Sequence, residues 1–334
     1  MTSLDLSRRA IIVGASATAG AAALGLSASS ADAKAPLATT QTPYFYRFPI
    51  GDFQATVVSD GPLGLGAPDG AFKGQPKEEL EKLLGSSYLP TDTVVLEQNV
   101  VVLNTGSKLV MFDSGMGLNK MFGATTGRLM RSLSEARINP RNIDAIVITH
   151  GHIDHIGGLA DARGKPLFPT AQVYISKADF DFWTDEANLK NDQLKPFVAH
   201  ARANLLPYRN RMTFIADGKE VVPGVQALAT PGHTMGHMAF MITSGKQSLC
   251  LIGDVGHYQV LSIERPRLEF AYDMDAKAAV ASRVKLLDML SKDRIAMMAY
   301  HFPWPGYGYI SKQGDGFRYH AAPMQIVRMP PKKA

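Results

Sequence analysis

The run Ile143–His155, "IDAIVITHGHIDH", ends an apolar stretch on a burst of polar donors: His150, His152, Asp154 and His155 occupy six positions and include three of the chain's nine histidines. An uninterrupted apolar run of this length reads as a strand buried on both faces. Imidazoles and a carboxylate cannot follow it into a core unless something pairs them. His150 and His152, two residues apart on extended backbone, project to one side and can meet a single cation. Gly157 and Gly158 let the chain bend sharply just beyond. Any fold must therefore place this turn at the end of a buried strand and bring further donors to it.

Three more donors occur in the same context. His233 follows a Thr-Pro-Gly turn after "VQALA", Asp254 follows "SLCLIG", and His301 ends "IAMMAYH". With the first four this makes five imidazoles and two carboxylates, more than one zinc accepts. If Asp254 bridges, it counts twice, and eight bonds divide into four for each of two ions sharing one activated oxygen. The count predicts a binuclear centre. Imidazole and carboxylate donors suit zinc first, and also manganese, iron or cobalt.

The organisation repeats around these donors. "YFYRFPI" and "FQATVVS" flank Gly51-Asp52 as a hairpin, and "NVVVLN" and "KLVMF" flank Thr105-Gly106-Ser107 as two further strands. Helical spacing marks residues 77–84 and 126–138, the latter with Leu129, Met130, Leu133 and Ala136 on one side, and residues 277–292 precede the strand that delivers His301. Two β-rich halves, each ending a buried strand in a histidine, predict an α/β protein of αββα type, two mixed sheets flanked by helices, with the site where the sheets meet. Residues 176–208 read as a helical, aromatic-rich insertion within one domain spanning 34–334.

The ends and the charge balance say where the chain works. Arg8 and Arg9, a weakly apolar stretch and Ala31-Asp32-Ala33 resemble a twin-arginine signal with a cleavage site over residues 1–33, predicting a periplasmic or secreted protein without stable membrane association after cleavage. The formal charge is +5, but the basic residues are scattered, which argues against nucleic acid as a partner. The single cysteine, Cys250, lies in an apolar run and reads as a core thiol. With no G-x-S-x-G elbow either, no side-chain nucleophile competes with water.

"THGHIDH", "GHTMGH", "IGD" and the late His301 together resemble the metallo-β-lactamase fold hydrolases. The resemblance implies that His150, His152 and His233 hold one metal, that Asp154, His155 and His301 hold the other, and that Asp254 serves both. It places Asp113 and His237 behind the ligands as supports, and gives Asp154 and Asp254 the catalytic task of holding the bridging hydroxide. "MFGATTGRL", "ADFDFWTDEANL" and "HFPWPGYGYISKQGDGFRY" look like the methyl parathion hydrolase branch, with Tyr309 standing where that branch often has another histidine.

That branch implies neutral small-molecule esters as substrates, organophosphate triesters first, then aryl esters and lactones. Phe122, Trp183 and Phe197 match its leaving-group positions, whereas Phe180 and Phe182 read as core packing. A lactonase opening acyl-homoserine lactones is the competing enzyme. A periplasmic binding protein using its metals structurally is the competing non-enzyme. The hairpin at residues 43–59 is a candidate surface for a homodimer.

Overall fold

The computed structural model describes residues 45–325, so the signal expected at residues 1–33 lies outside them. Within the described residues the strands form two seven-stranded mixed sheets and two small two-stranded ones, Glu269–Phe270 with Phe72–Lys73 and Leu63–Gly66 with Val94–Leu96. The first runs, in sheet order, Phe45–Ile50, Phe53–Ser59, Asn99–Asn104, Leu109–Phe112, Ala145–Val147, Gln172–Ser176 and Met212–Ile215. Its first four strands are antiparallel and its last four pair in parallel. The second runs Glu220–Val222, Val225–Ala229, Met238–Ser244, Gln247–Leu251, Ala296–Met298, Tyr307–Gln313 and Gly316–Ala321, with one parallel pair, Gln247–Leu251 beside Ala296–Met298.

Alternation along each strand explains the layering. In Asn99–Asn104, Val101 and Leu103 point between the sheets while Val100 and Val102 point out beneath the helices. Leu249 and Leu251 likewise face the inter-sheet core, and Cys250 faces outward under the long helix Ala276–Asp293. Strands buried on both faces must be apolar throughout, which is what these runs are. The inter-sheet core joins Phe48, Val57 and Phe112 of the first sheet to Ala227, Phe240 and Ile242 of the second, with Phe112 and Phe240 5.6 Å apart. The αββα sandwich expected from the sequence is the fold. No helix among the described residues is long and apolar enough to cross a membrane.

Some boundaries differ from the sequence reading. The helix expected over 126–138 is Leu129–Glu135, because Gly127 (φ +74°) and the Asp60 contacts hold residues 126–128 in a turn and Arg137 leaves the helix at φ +58°. Met130, expected on its apolar side, is exposed. In the hairpin Phe48, Ile50, Ala55, Val57 and Val58 are buried, whereas Phe45 is exposed and Tyr46 and Phe53 are half-buried. Helices Lys177–Thr184 and Lys195–Leu205 occupy the aromatic-rich segment, and single-turn pieces extend it to Arg211.

One buried carboxylate organises the loop between Asp113 and the helix at Leu129. Asp60 accepts backbone N–H bonds from Met116 (2.9 Å), Gly127 (3.0 Å) and Leu129 (2.8 Å), and the loop it gathers carries Phe122. Asp60→Ala strands these three donors away from water, so the unfolding free energy should fall by about 3 kcal/mol. A urea midpoint within experimental error of the parent's would show that the carboxylate does not organise the loop.

Candidate metal centre

The donors arrive on strand ends. Strands Leu109–Phe112, Ala145–Val147 and Gln172–Ser176 run parallel, so Asp113 and His150 leave the first sheet at one edge. In the second sheet Val225–Ala229 points the same way as Gln247–Leu251 and Ala296–Met298, and their ends deliver His233, Asp254 and His301. The turn after His150 closes with the short helix Ile153–Ile156, which carries Asp154 and His155.

All seven residues expected to hold metal meet at this edge. The Asp254 carboxylate lies between five imidazoles: its Oδ2 is 3.2 Å from Nε2 of His233, His257 and His301 and 3.8 Å from that of His150, and its Oδ1 is 3.2 Å from Nε2 of His155. Asp154 Oδ2 sits 3.4 Å from His155 Nε2 and 3.3 Å from His301 Nε2. His152 Nδ1 and His233 Nε2 face each other at 2.9 Å. Among the described residues these donors fall into groups that could each hold an ion: His150–His152–His233, Asp154–His155–His301, and two further groups through Asp254.

The far nitrogens are tied back, which fixes what points inward. His155 Nδ1 donates to Asp113 at 2.9 Å, and Asp113 accepts from the Thr149 N–H (2.8 Å) and hydroxyl (2.9 Å). His233 Nδ1 donates to Asp273 at 2.8 Å and His301 Nδ1 to the Glu97 carbonyl at 2.8 Å. His150 Nδ1 lies 3.0 Å from the Thr149 hydroxyl. His237 has both nitrogens engaged, Nδ1 on Thr230 Oγ1 (2.8 Å) and Nε2 accepting the Asp254 N–H (3.0 Å), so it supports the Asp254 turn from behind.

This donor set fits divalent cations. Nε2 of His150 and His155, Oδ1 of Asp254 and both nitrogens of His257 are buried and make no hydrogen bond. Buried polar atoms without partners are uncommon, and a cation is the partner that satisfies imidazole nitrogens and carboxylate oxygens together. The electrostatics agree. Burial opposes ionisation of Asp154 and Asp254, yet the surrounding imidazoles hold both well below the usual carboxylate range. Burial and neighbouring histidines keep His150 and His152 neutral. Burial also opposes protonation of His233 and His301, but Asp254, with Asp273 or Asp154, raises each to about 9. The cluster carries negative charge that demands positive charge among the imidazoles, and divalent ions supply it.

Sequence reasoning missed several participants. His257 stacks on Phe270 (3.7 Å between ring centres), completes the His233–Asp254–His257 group, and had one available signal, a histidine three residues after Asp254 in "GDVGH". Asp273 and Arg283 had none. Arg283, fully buried in the long helix, donates to the carbonyls of Val255, Pro266 and Leu268, and its Nη2 lies 3.7 Å from Asp273 Oδ2. It thereby braces the segment that backs His233 and forms one pocket wall.

A cavity of about 390 Å³ opens above the donors. His152, Asp154, His233, Asp254, His257 and His301 face it, and Phe122, Trp183 and Phe197, the three expected aromatics, all line it with Leu63, Leu96 and Leu194. Phe180 and Phe182 instead pack in the outer core, and Tyr309 is exposed outside the pocket against Tyr307.

Comparison with known proteins agrees with this geometry. The family model described as Metallo-beta-lactamase superfamily matches residues 93–297, which include every expected ligand but His301. An N-acyl homoserine lactonase of Bacillus cereus is 28% identical over 183 residues, 55% of this chain and 64% of the relative, so the chain spans somewhat under two thirds of that relative's length. A probable metallo-hydrolase of Mycobacterium bovis is 24% identical over 58% of this chain and 68% of its own. Among solved structures, the dizinc quorum-quenching lactonase AidC, in complex with the product N-hexanoyl-L-homoserine, superposes with a TM-score of 0.77 at 27% identity, covering 85% of this chain and 99% of its own. A hydrolase of the β-lactamase superfamily, AbOPH, superposes at 0.80 with 27% identity, covering 86% and 100%. None of these comparisons singles out a methyl parathion hydrolase branch.

The central place of Asp254 yields a prediction. The purified chain should bind two divalent ions, and Asp254→Asn at most one, counted by elemental analysis of protein dialysed against zinc. Two ions retained by the variant would remove the carboxylate from its bridging place.

Proposed function

The chain belongs to the metallo-β-lactamase superfamily, and from that premise we propose that it is a metal-dependent hydrolase of neutral esters, with lactones bearing an apolar acyl tail as the substrate class. The observation that carries this reading is the pocket: apolar and aromatic walls standing on a floor of histidines and carboxylates. Such walls favour an uncharged, bulky substrate and leave its polar group to the floor. The lactonase relatives and the dizinc lactonase structure support the choice of lactone.

Two divalent cations held by His150, His152, Asp154, His155, His233, Asp254 and His301 would polarise the ester's oxygen and bring water's pKa toward neutrality. The residues themselves divide the remaining work. Phe122, Trp183 and Phe197 seat the tail or aryl group and exclude bulk water. Trp183 stands edge-on to His152, with ring centres 5.1 Å apart, so it brings that group close to the floor. Asp154, whose side chain is 12% exposed against 4% for Asp254, is the floor carboxylate most open to the pocket. It is therefore placed to accept a hydrogen bond from the attacking water and orient it toward the bound ester.

The aromatic trio supports a second substrate, an aryl phosphotriester, whose leaving group would fill the same walls. Zinc-loaded protein should turn over N-hexanoyl-homoserine lactone with a kcat/KM about 100-fold above that for a diethyl aryl phosphate triester. The reverse ranking would assign the triester reading. No turnover of either by protein holding two ions would favour a binding protein with structural metals. Trp183→Ala should weaken aryl esters more than short aliphatic lactones, and equal losses would limit the residue to supporting the fold.

The paired arginines and the Ala31-Asp32-Ala33 site support export as part of the same proposal. Replacing Arg8 and Arg9 with lysines should retain the protein in the cytoplasmic fraction.

A further inference from the structure

Two turns carry one half of the donor set, and a single side chain outside that set fastens them together. His150 and His152 flank Gly151 on the first sheet's edge; His233 begins the second sheet's turn, followed by Thr234, Gly236 and His237. Between them lies Asp179, in the first turn of the helix Lys177–Thr184, whose Ser176 cap accepts the Asp179 N–H at 3.2 Å. Asp179 is 1% exposed. Its Oδ2 accepts the Gly151 N–H at 2.7 Å and the Thr234 hydroxyl at 2.9 Å, and its Oδ1 accepts the Gly236 N–H at 2.7 Å. Short bonds to a buried carboxylate are the strong kind.

The neighbouring glycines show how close this contact is. A Cβ on Gly236 would stand 1.9 Å from Ser176 Oγ and 2.8 Å from Asp179 Oδ1, and a Cβ on Gly151 would stand 2.3 Å from the Trp183 ring of the same helix. Both turns therefore press against the helix with no room for a side chain between. Beside this contact a backbone bond also joins the two turns' sheets, Met238 N–H to the Thr149 carbonyl at 2.9 Å. A donor pair such as His152 Nδ1 and His233 Nε2 keeps its separation only if the two turns keep theirs.

We infer that Asp179 is a positioning residue that fixes the spacing of the His150–His152 turn against the His233 turn, and with it the affinity for metal. This inference rests on the metal-centre reading but not on the choice of substrate. Outer carboxylates that orient ligands alter metal affinity by about 10- to 100-fold when removed.

The test uses the full chain and zinc alone, with affinity read by competition against a chromophoric chelator and thermal midpoints read with and without zinc. Asp179→Asn keeps the volume but sets an amide N–H against one backbone donor. It should weaken binding of at least one zinc by about 10-fold or more, so that its midpoint falls further in the zinc-loaded protein than in the chelated one. Thr234→Val removes one of the three donors with little change of shape, folds more readily, and should give a smaller loss in the same direction. Equal falls in the two midpoints, with zinc affinity unchanged in both variants, would reduce Asp179 to an ordinary structural contact and overturn the inference. A parent protein that binds no zinc would overturn it together with the metal centre. Absence of lactone turnover alone would sink the hydrolase proposal and leave this result standing.

Discussion

Asp254 is almost completely buried with five imidazoles around it, and the rest of the site depends on the cost of that arrangement. A carboxylate removed from water is expensive unless paired and hydrogen-bonded. Proton sharing with histidines meets part of the need, yet Asp254 Oδ1 and the inward nitrogens of His150 and His155 still lack hydrogen-bond partners. Burial thus makes the cluster cation-seeking. The imidazoles cannot turn outward to relieve it, because Asp113, Asp273 and the Glu97 carbonyl hold the far nitrogens of His155, His233 and His301.

The sandwich makes this affordable by dividing the donors between two sheets. Each donor loop leaves a strand whose other residues are anchored in apolar layers on both sides, so the loop ends move little. Strands of one direction put their carboxyl ends at one edge, the usual place for a site in open mixed sheets. Supports then come from elements far away in sequence. Asp113 reaches His155 across 42 residues, and Asp273 reaches His233 across 40. The helix carrying Arg283 serves both outer core and site: Leu286, Leu287 and Leu290 cover the second sheet while Arg283 gathers three carbonyls of the pocket-wall segment.

What could be read from sequence follows the range of the interactions. The buried strands were legible because two-sided burial forces continuous apolar runs, and His150, His152, Asp154 and His155 because four donors crowd one turn. His233, Asp254 and His301 were legible because each ends such a run. Asp179 and Asp273 were not: each stands among other acids on a helix or in a loop, and its partners, two backbone N–H groups and the Thr234 hydroxyl for Asp179 and the His233 ring for Asp273, are reached only after folding. His257 lay in between, near enough to Asp254 to notice but without a strand end of its own. The short helix at Leu129 was misjudged because Asp60, about 70 residues earlier in the chain, captures the amides that periodicity alone assigns to the helix.

The same distinction between floor and walls explains why substrate is harder to name than chemistry. The floor is built from residues whose types are dictated by coordination, so its signature is short and strict. The walls come from five separate segments, around Leu63, Leu96, Phe122, Trp183–Phe197 and Phe270–Met274, where the requirement is only apolar bulk of the right shape. Many residues satisfy that requirement, so a branch-level likeness in these segments carries less information than the histidine motifs. His257 is the exception, a polar residue at the boundary of floor and wall, stacked on Phe270 beside Tyr272 and within 3.2 Å of Asp254. Both its nitrogens are buried without a hydrogen bond and it completes the His233–Asp254–His257 group, so its chemistry belongs to the floor while its stacking on Phe270 ties it to the wall.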